Sequence, residues 1–289
     1  GAFTIAMLLA PLNFLADVTE RGEMKREKRT EEGGAALGAL VPVRSVSMSL
    51  VKREWSIITS NSTFIFQLIG ELIVLPLLLL IYALVLPKEI LGQALGFISS
   101  SPLMGLIALA VLALMTNLSS LSSTSLSREG KLFSLSLTIP VSGRKQLGAK
   151  LALHMILLFT TYLVNLVVVF VVFRLPLPML AFLLPAGPIF ELYGFTTGIF
   201  FDLKRPILKW THPQQAIKNN LNAMMAPAGI AVLLIALAIP SFFLIRAGID
   251  PFLLGCLVPL VPLAMDVILL PRIFSYAEAQ YGGGLEVET

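Results

Sequence analysis

The chain has 289 residues, 56% of them hydrophobic and only 13% charged, with a mean hydropathy of +0.88; these values exclude an ordinary soluble domain and place the chain in a lipid bilayer. Its 21 Lys and Arg against 17 Asp and Glu give a net charge of +4, an excess that the positive-inside rule assigns to inner loops, with no case for nucleic acid. The single cysteine, Cys256, excludes an internal disulfide framework, and His154 and His212 are too few and too far apart for a zinc site.

Residues 1–17 form a short apolar piece interrupted by Pro11 and Asn13, with no basic stretch before it. It reads as an extra or truncated span rather than a secretory signal. Residues 18–44 are a charged, glycine-containing linker. Over 45–59, Val46, Leu50, Ile57 and Ile58 are interleaved with Lys52, Arg53, Glu54 and Trp55. That pattern predicts a helix lying along the inner membrane surface, with Trp55 at headgroup depth and Lys52 and Arg53 in water.

The first predicted span, 64–86, runs outward and carries Glu71 and Pro76; the second, 102–119, has Ser101 as cap and Pro102 at its first position. Its inner half gives way to Asn117, Ser119, Ser120, Ser122, Ser123, Thr124 and Ser125. Such a run serves either close helix packing or a polar pathway. The polar interval 127–150 follows, with Ser127-Arg128-Glu129-Gly130-Lys131, an amphipathic run over 132–139, Pro140, Ser142-Gly143-Arg144-Lys145 and Lys150. Five basic residues against one acid make it an inner loop.

Span 151–173 then runs outward and turns at 174–178, and span 179–200 returns, broken by Pro185, Gly187 and Pro188. A second inner loop, 201–222, contains Asp202, Lys204, Arg205, Lys209, Trp210 and Lys218. Within it Thr211 is expected to cap a helix with Pro213 in its first turn and Gln214 at its third position. Spans 223–245 and 251–270 complete the series; Asp250 caps the latter, and Pro259, Pro262 and Pro271 bend it. The expected fold is all-α and polytopic, six main spans preceded by an interfacial elbow helix. The C-terminus is on the cytoplasmic side, the tail 277–289 is flexible, and among the residues from 64 to 272 only Lys88, Arg174 and Arg246 are basic on the outside.

Three carboxylates, Glu71, Glu191 and Asp266, fall in the inner halves of predicted spans and must face protein or water there. They read either as structural pairs or as an ion pathway, and His154 is a candidate partner. No His-Glu-x-x-His, nucleophile elbow or Walker-type phosphate loop is present in the sequence. Energy for uphill transport must therefore reach the chain through a partner or an ion gradient.

Two motifs carry a resemblance. One is Ser127-Arg128-Glu129-Gly130-Lys131 with Ile139-Pro140-Val141-Ser142; the other is Asp202-Leu203-Lys204-Arg205-Pro206 with Trp210-Thr211 and Gln215-Ala216-Ile217-Lys218-Asn219-Asn220-Leu221-Asn222. On these residues the chain, over about 46–276, resembles the permease subunits of bacterial ABC exporters with type-2 membrane domains, more narrowly those of Gram-positive bacteria. The resemblance implies a transmembrane domain over 45–276 whose elbow helix carries Lys52, Arg53 and Trp55. It also implies a coupling helix that enters a cleft of a separate ATPase subunit, with Ser127, Arg128, Glu129, Lys131, Pro140, Arg144 and Lys145 in that loop. ATP and Mg would sit on the partner, and this chain would bind no cofactor or metal. A second membrane domain, as a homodimer or as the other half of a tandem, would complete the pathway across a bacterial plasma membrane. The short outer connections favour a membrane-soluble cargo or a peptide. An ion-driven secondary transporter working through Glu71, Glu191 and Asp266 is the alternative from another class, and an intramembrane enzyme using His154 or His212 with a carboxylate is a third.

Overall fold

A computed structural model describes residues 45–85 and 103–282. The expectations for 1–44, for Lys88, for the Ser101 cap and Pro102, and for 283–289 lie outside the described residues. The chain divides into two units, Gly1–Ser49 and Leu50–Thr289.

Every regular element among the described residues is helical. Helix α1 (Val46–Thr59) buries Leu50, Glu54 and Ile58, one stripe at four-residue spacing, and leaves Lys52 exposed. Asn61 then caps a new start by accepting from Thr63 N at 2.9 Å. A π-helical turn over Ile65–Ile69 leads into α2 (Gly70–Val85), which contains Pro76. Helix α3 (Met104–Asn117) descends into the Ser/Thr-rich segment. After a 3₁₀ turn at Ser127–Leu132 comes the short α4 (Phe133–Thr138). Helices α5 (Gly143–Phe173), α6 (Leu180–Lys204) and α8 (Met225–Arg246) are long, and α7 (Pro213–Ile217) is a single turn between the last two. Helices α9 (Pro251–Leu257) and α10 (Leu260–Gly282) form the last span, stepped at Pro259.

Five helical segments among the described residues are long and apolar enough to cross a membrane: Ser62–Tyr82, Gly143–Val172, Leu177–Lys204, Leu221–Arg246 and Pro251–Tyr281. The protein is an all-α, polytopic membrane protein. The expected sixth span is represented by α3, whose 14 residues rise about 21 Å, short of a hydrocarbon core. Its C-terminal end stops at Asn117 because the Ser and Thr hydroxyls that follow bond locally to backbone: Thr124 Oγ1, for example, donates to Ser120 O at 2.9 Å.

Four further expectations are corrected. Residues 143–150 are the first two turns of α5, not loop, because Gly143 lies against the Ala277 carbonyl and Gln146 and Lys150 find buried partners. Helix α6 runs unbroken through Pro185 and Pro188; Tyr162 of α5 packs on Gly187 and donates to Leu183 O at 2.5 Å, holding that segment in register. The cap of α7 is His212, one residue later than expected, because Pro213 takes the first helical position and Gln215 Oε1 reaches back to Thr211 N at 2.9 Å. Asp250 caps α9 as the sequence predicts, accepting from Leu253 N at 3.0 Å. Helix α10 continues to Gly282, so 277–282 is ordered helix.

The apolar centre is built by α3, α5, α6 and α8, where Leu112, Tyr162, Leu183, Phe190 and Ile230 are fully enclosed. Outward-facing Val232, Ile235, Val267 and Ile268 remain exposed, as on helices whose outer faces meet lipid. The two polar loops meet at one end of the bundle, where Asp202 and Trp210 both bond to Ser127. We call this the charged end and the opposite one the far end.

Candidate functional site

At the charged end, polar side chains are sunk inside the protein rather than spread over it. Ser127, Arg128 and Glu129, together with the serines and threonine from Ser119 to Ser125, are all buried. Lys150, two turns into α5, pairs with Glu54 of α1 at 2.8 Å and with Glu129 at 2.5 Å. Arg53 reaches Glu129 from the same side at 3.0 Å, and Ser136 of α4 donates to the same carboxylate. Glu129 is thus the point at which α1, α4 and α5 are tied together. A charge-assisted cluster of this kind holds only while every member keeps its partner.

Burial pushes the Glu54 carboxyl above its ordinary value; Lys150 opposes this and the neighbouring Glu129 adds to it. Burial also pushes Glu129 upward, but Lys150, Ser136 and Arg53 outweigh it and hold that carboxyl below the ordinary range. Of the two acids sharing Lys150, Glu129 therefore keeps the charge more firmly. Burial lowers Arg128, against the pull of Glu54, Asp202 and Glu129.

A second knot fixes the turn itself. Asp202 of α6 accepts from Leu126 N at 2.6 Å, from Ser127 N at 3.1 Å and from the Ser127 hydroxyl, and Asn222 Nδ2 donates to it at 3.2 Å. Trp210 Nε1 donates to Ser127 O at 2.8 Å. Gly130 sits at φ 51°, ψ −126°, and a Cβ there would lie 2.7 Å from the Trp210 ring. Only glycine combines that backbone with so close an aromatic neighbour. Arg128 donates to Leu121 O and Thr124 Oγ1, both at 2.7 Å, so its guanidinium faces inward.

What projects outward is small. Lys131, Leu132, Ser134, Leu135, Thr138, Pro140, Arg144 and Lys145 are exposed, with Leu132 at 51% and Leu135 at 57%. The buried side of the same unit rests on Phe133, which meets Tyr281 of α10 edge-on. Gln146 Nε2 closes the loop after α4 by donating to Ser136 O at 2.9 Å, and Arg144 N donates to Glu278 of α10 at 2.8 Å.

The residues singled out in the sequence divide accordingly. Lys131, Pro140, Arg144 and Lys145 are on the surface, whereas Ser127, Arg128 and Glu129 form its foundation. Arg53 is not in water as expected but half-buried against Glu129, and Trp55 packs with the Ile58, Phe64 and Leu68 cluster. In the second loop Asp202 is internal and Trp210 half-buried, while Lys204, Arg205 and Lys218 are exposed; Lys204 Nζ lies 4.2 Å from the Phe200 ring centre. The intramembrane polar residues do not converge. Glu71 accepts from Ser120 N at 3.2 Å; His154 Nε2 meets the backbone carbonyl of Glu191 at 3.1 Å, not its carboxyl. Glu191 has Thr116 beside it and Asp266 has Thr196, but neither carboxylate makes a hydrogen bond of normal geometry. No grouping of three or more metal-ligating side chains occurs among the described residues. Cys256 is exposed.

Sequence reasoning missed the pairing of Glu54 and Lys150. A signal was present: Glu54 lies in the Leu50–Ile58 stripe, and Gln146, Lys150 and His154 recur every four residues on one face of α5.

No protein-family model, curated protein or solved structure matches the chain.

Proposed function

We propose that this chain is the membrane-spanning permease subunit of an ATP-driven exporter of the ABC type, moved by a separate nucleotide-binding subunit that carries ATP and Mg. The observation that carries the reading is the exposed α4 unit, an apolar tip of Leu132 and Leu135 rimmed by Lys131, Arg144 and Lys145, standing on a base tied into α1, α5 and α6. Such a tip fits a cleft with an apolar floor and acidic edges, and its rigid base passes a push to the transmembrane helices. On this reading the charged end faces the bacterial cytoplasm, the C-terminus lies on that side, and α3 makes the sixth crossing. A second membrane domain faces this one across the pathway.

The test places a photo-crosslinking amino acid at Leu135 in the native host, identifies the captured protein by mass spectrometry, and measures ATP turnover of the purified complex in lipid vesicles. Capture of a Walker-motif ATPase is expected, with loss of stimulated turnover in the K131E/R144E/K145E variant. Unchanged turnover in that variant sinks the proposal.

A second reading is favoured by one observation, the two carboxylates Glu191 and Asp266 buried in the spans without a bond of normal geometry. It makes the chain an ion-gradient transporter. Reconstituted transport would then follow an imposed proton or sodium gradient and lose that dependence in E191Q or D266N; gradient-independent transport rules it out.

A further inference from the structure

A small cavity lies between the turn and α5, lined by Glu54, Ser122, Ser125, Arg128, Lys150 and His154 among others. It offers about 10 Å³ to the centre of an occupant, close to the room one water needs. Two of its lining groups present buried polar atoms that no protein atom answers: Arg128 Nε and His154 Nδ1. Both side chains are 4% exposed, so neither atom can be met by bulk solvent.

The remaining bonds fix what each atom offers. Arg128 spends Nη1 on Leu121 O and Thr124 Oγ1, leaving its Nε–H as a donor without an acceptor. His154 Nε2 faces the Glu191 carbonyl, which only accepts, so Nε2 carries the hydrogen. In a ring with one hydrogen, Nδ1 then presents a lone pair. An unanswered donor and an unanswered acceptor among the lining residues match a group that accepts and donates at once. Charge excludes the other candidates: Lys150 and Arg128 repel a cation, and Glu54 on the same wall disfavours an anion where Lys150 is already satisfied by two carboxylates.

We propose that this cavity is a binding site for one ordered water, which accepts from Arg128 Nε–H and donates to His154 Nδ1. The water joins the turn bearing Arg128 to α5, and through the His154–Glu191 bond to α6. His154 is a positioning residue of that joint. The site stands whether an ATPase or an ion gradient drives the chain.

Solid-state NMR of the full chain in lipid vesicles tests it, with water-to-protein magnetisation transfer read at Arg128 Nε–H and the ¹⁵N shift of His154 Nδ1 read alongside. The expected result is direct transfer to Arg128 Nε–H and an Nδ1 shift of a hydrogen-bonded lone pair. H154F, whose ring fills the space and removes the acceptor, should lose the transfer. If H154F does not fold, R128K serves instead and should move Nδ1 towards the shift of a free lone pair. The proposal is overturned by absence of transfer in the unaltered chain, by a free or protonated Nδ1, or by transfer that persists in H154F. Signals that follow chloride concentration would also overturn it, because the occupant would then be an anion.

Discussion

The two ends of the bundle are held in different ways. At the charged end, Glu54, Glu129 and Lys150 bind one another inside the protein, and Asp202 gathers three bonds from Leu126 and Ser127. At the far end, Leu106, Leu237, Phe242 and Val258 border a cavity of about 300 Å³ between α3, α8 and the start of the last span, and its lining is almost wholly apolar. In a bilayer, apolar burial hardly distinguishes a protein neighbour from a lipid tail, so directional polar bonds supply most of the geometric definition. The charged end is therefore specified bond by bond, and the far end is specified by shape alone. A body pushed from its charged end and yielding at its far end has the distribution that the proposed function requires.

The sharpest way to break this contrast is Glu129→Ala. It leaves Lys150 with Glu54 alone and strips Arg53 of its carboxylate, and removing one member of a buried ionic cluster costs about 3–5 kcal/mol. Loss of monodisperse protein in detergent is expected on size-exclusion chromatography. Glu54→Ala should cost less, since Lys150 keeps Glu129. Equal behaviour of the two variants would show that Glu129 is not the tie point. Next in size is Gly130→Ala, at about 1–3 kcal/mol, from a backbone at φ 51° that a side chain resists together with the approach to Trp210. A thermal shift of the purified protein measures it. Adding Trp210→Ala should recover only part, because the backbone term remains and the bond to Ser127 O is lost.

The same contrast explains what could be read in the sequence. Spans are legible because a long apolar run has few alternatives, and Asp250-Pro251 is legible because its cap is local. The loop around 127–145 is legible from its charges, but counting charges does not say which way they face. Arg128 and Lys131 are three residues apart, one buried and the other exposed, and only Leu121 O and Thr124 Oγ1 decide the difference. Glu54 and Lys150 are 96 residues apart, and Asp202 lies 75 beyond Ser127. Nothing in helical periodicity names a partner at such distance; it marks only the face on which a polar residue interrupts an apolar stripe.

A smaller effect separates the two acids that share Lys150. Glu129 is held below its ordinary value of 4.5, so the stability it contributes is complete above 4.5 and is lost as pH falls through its lowered value. Glu54 is raised above 4.5, so its contribution is present below 4.5 and is lost as pH rises through its raised value. The two slopes oppose each other. In E54Q, thermal stability should therefore fall steadily as the medium is acidified below 4.5. In E129Q, Glu54 loses the like charge that helps to raise it, so that fall should be smaller or absent. Matching slopes in the two variants would mean that the carboxylates do not divide Lys150 as described.

The smallest change is expected at the far end. Ala110 of α3 is half-buried on the wall of the 300 Å³ cavity, facing Leu234 and Leu237 of α8. Ala110→Leu adds three carbons to a space that can hold them without moving a polar group, so it should shift stability by less than about 1 kcal/mol, in the stabilising direction. Thermal unfolding in lipid vesicles reads the shift. Transport or stimulated ATP turnover should respond more than stability does, since the leucine narrows a gap between helices that the proposed motion needs. A loss of stability as large as that of Gly130→Ala would show instead that α3 and α8 fit each other closely, and the difference between a bonded end and a shape-fitted one would disappear.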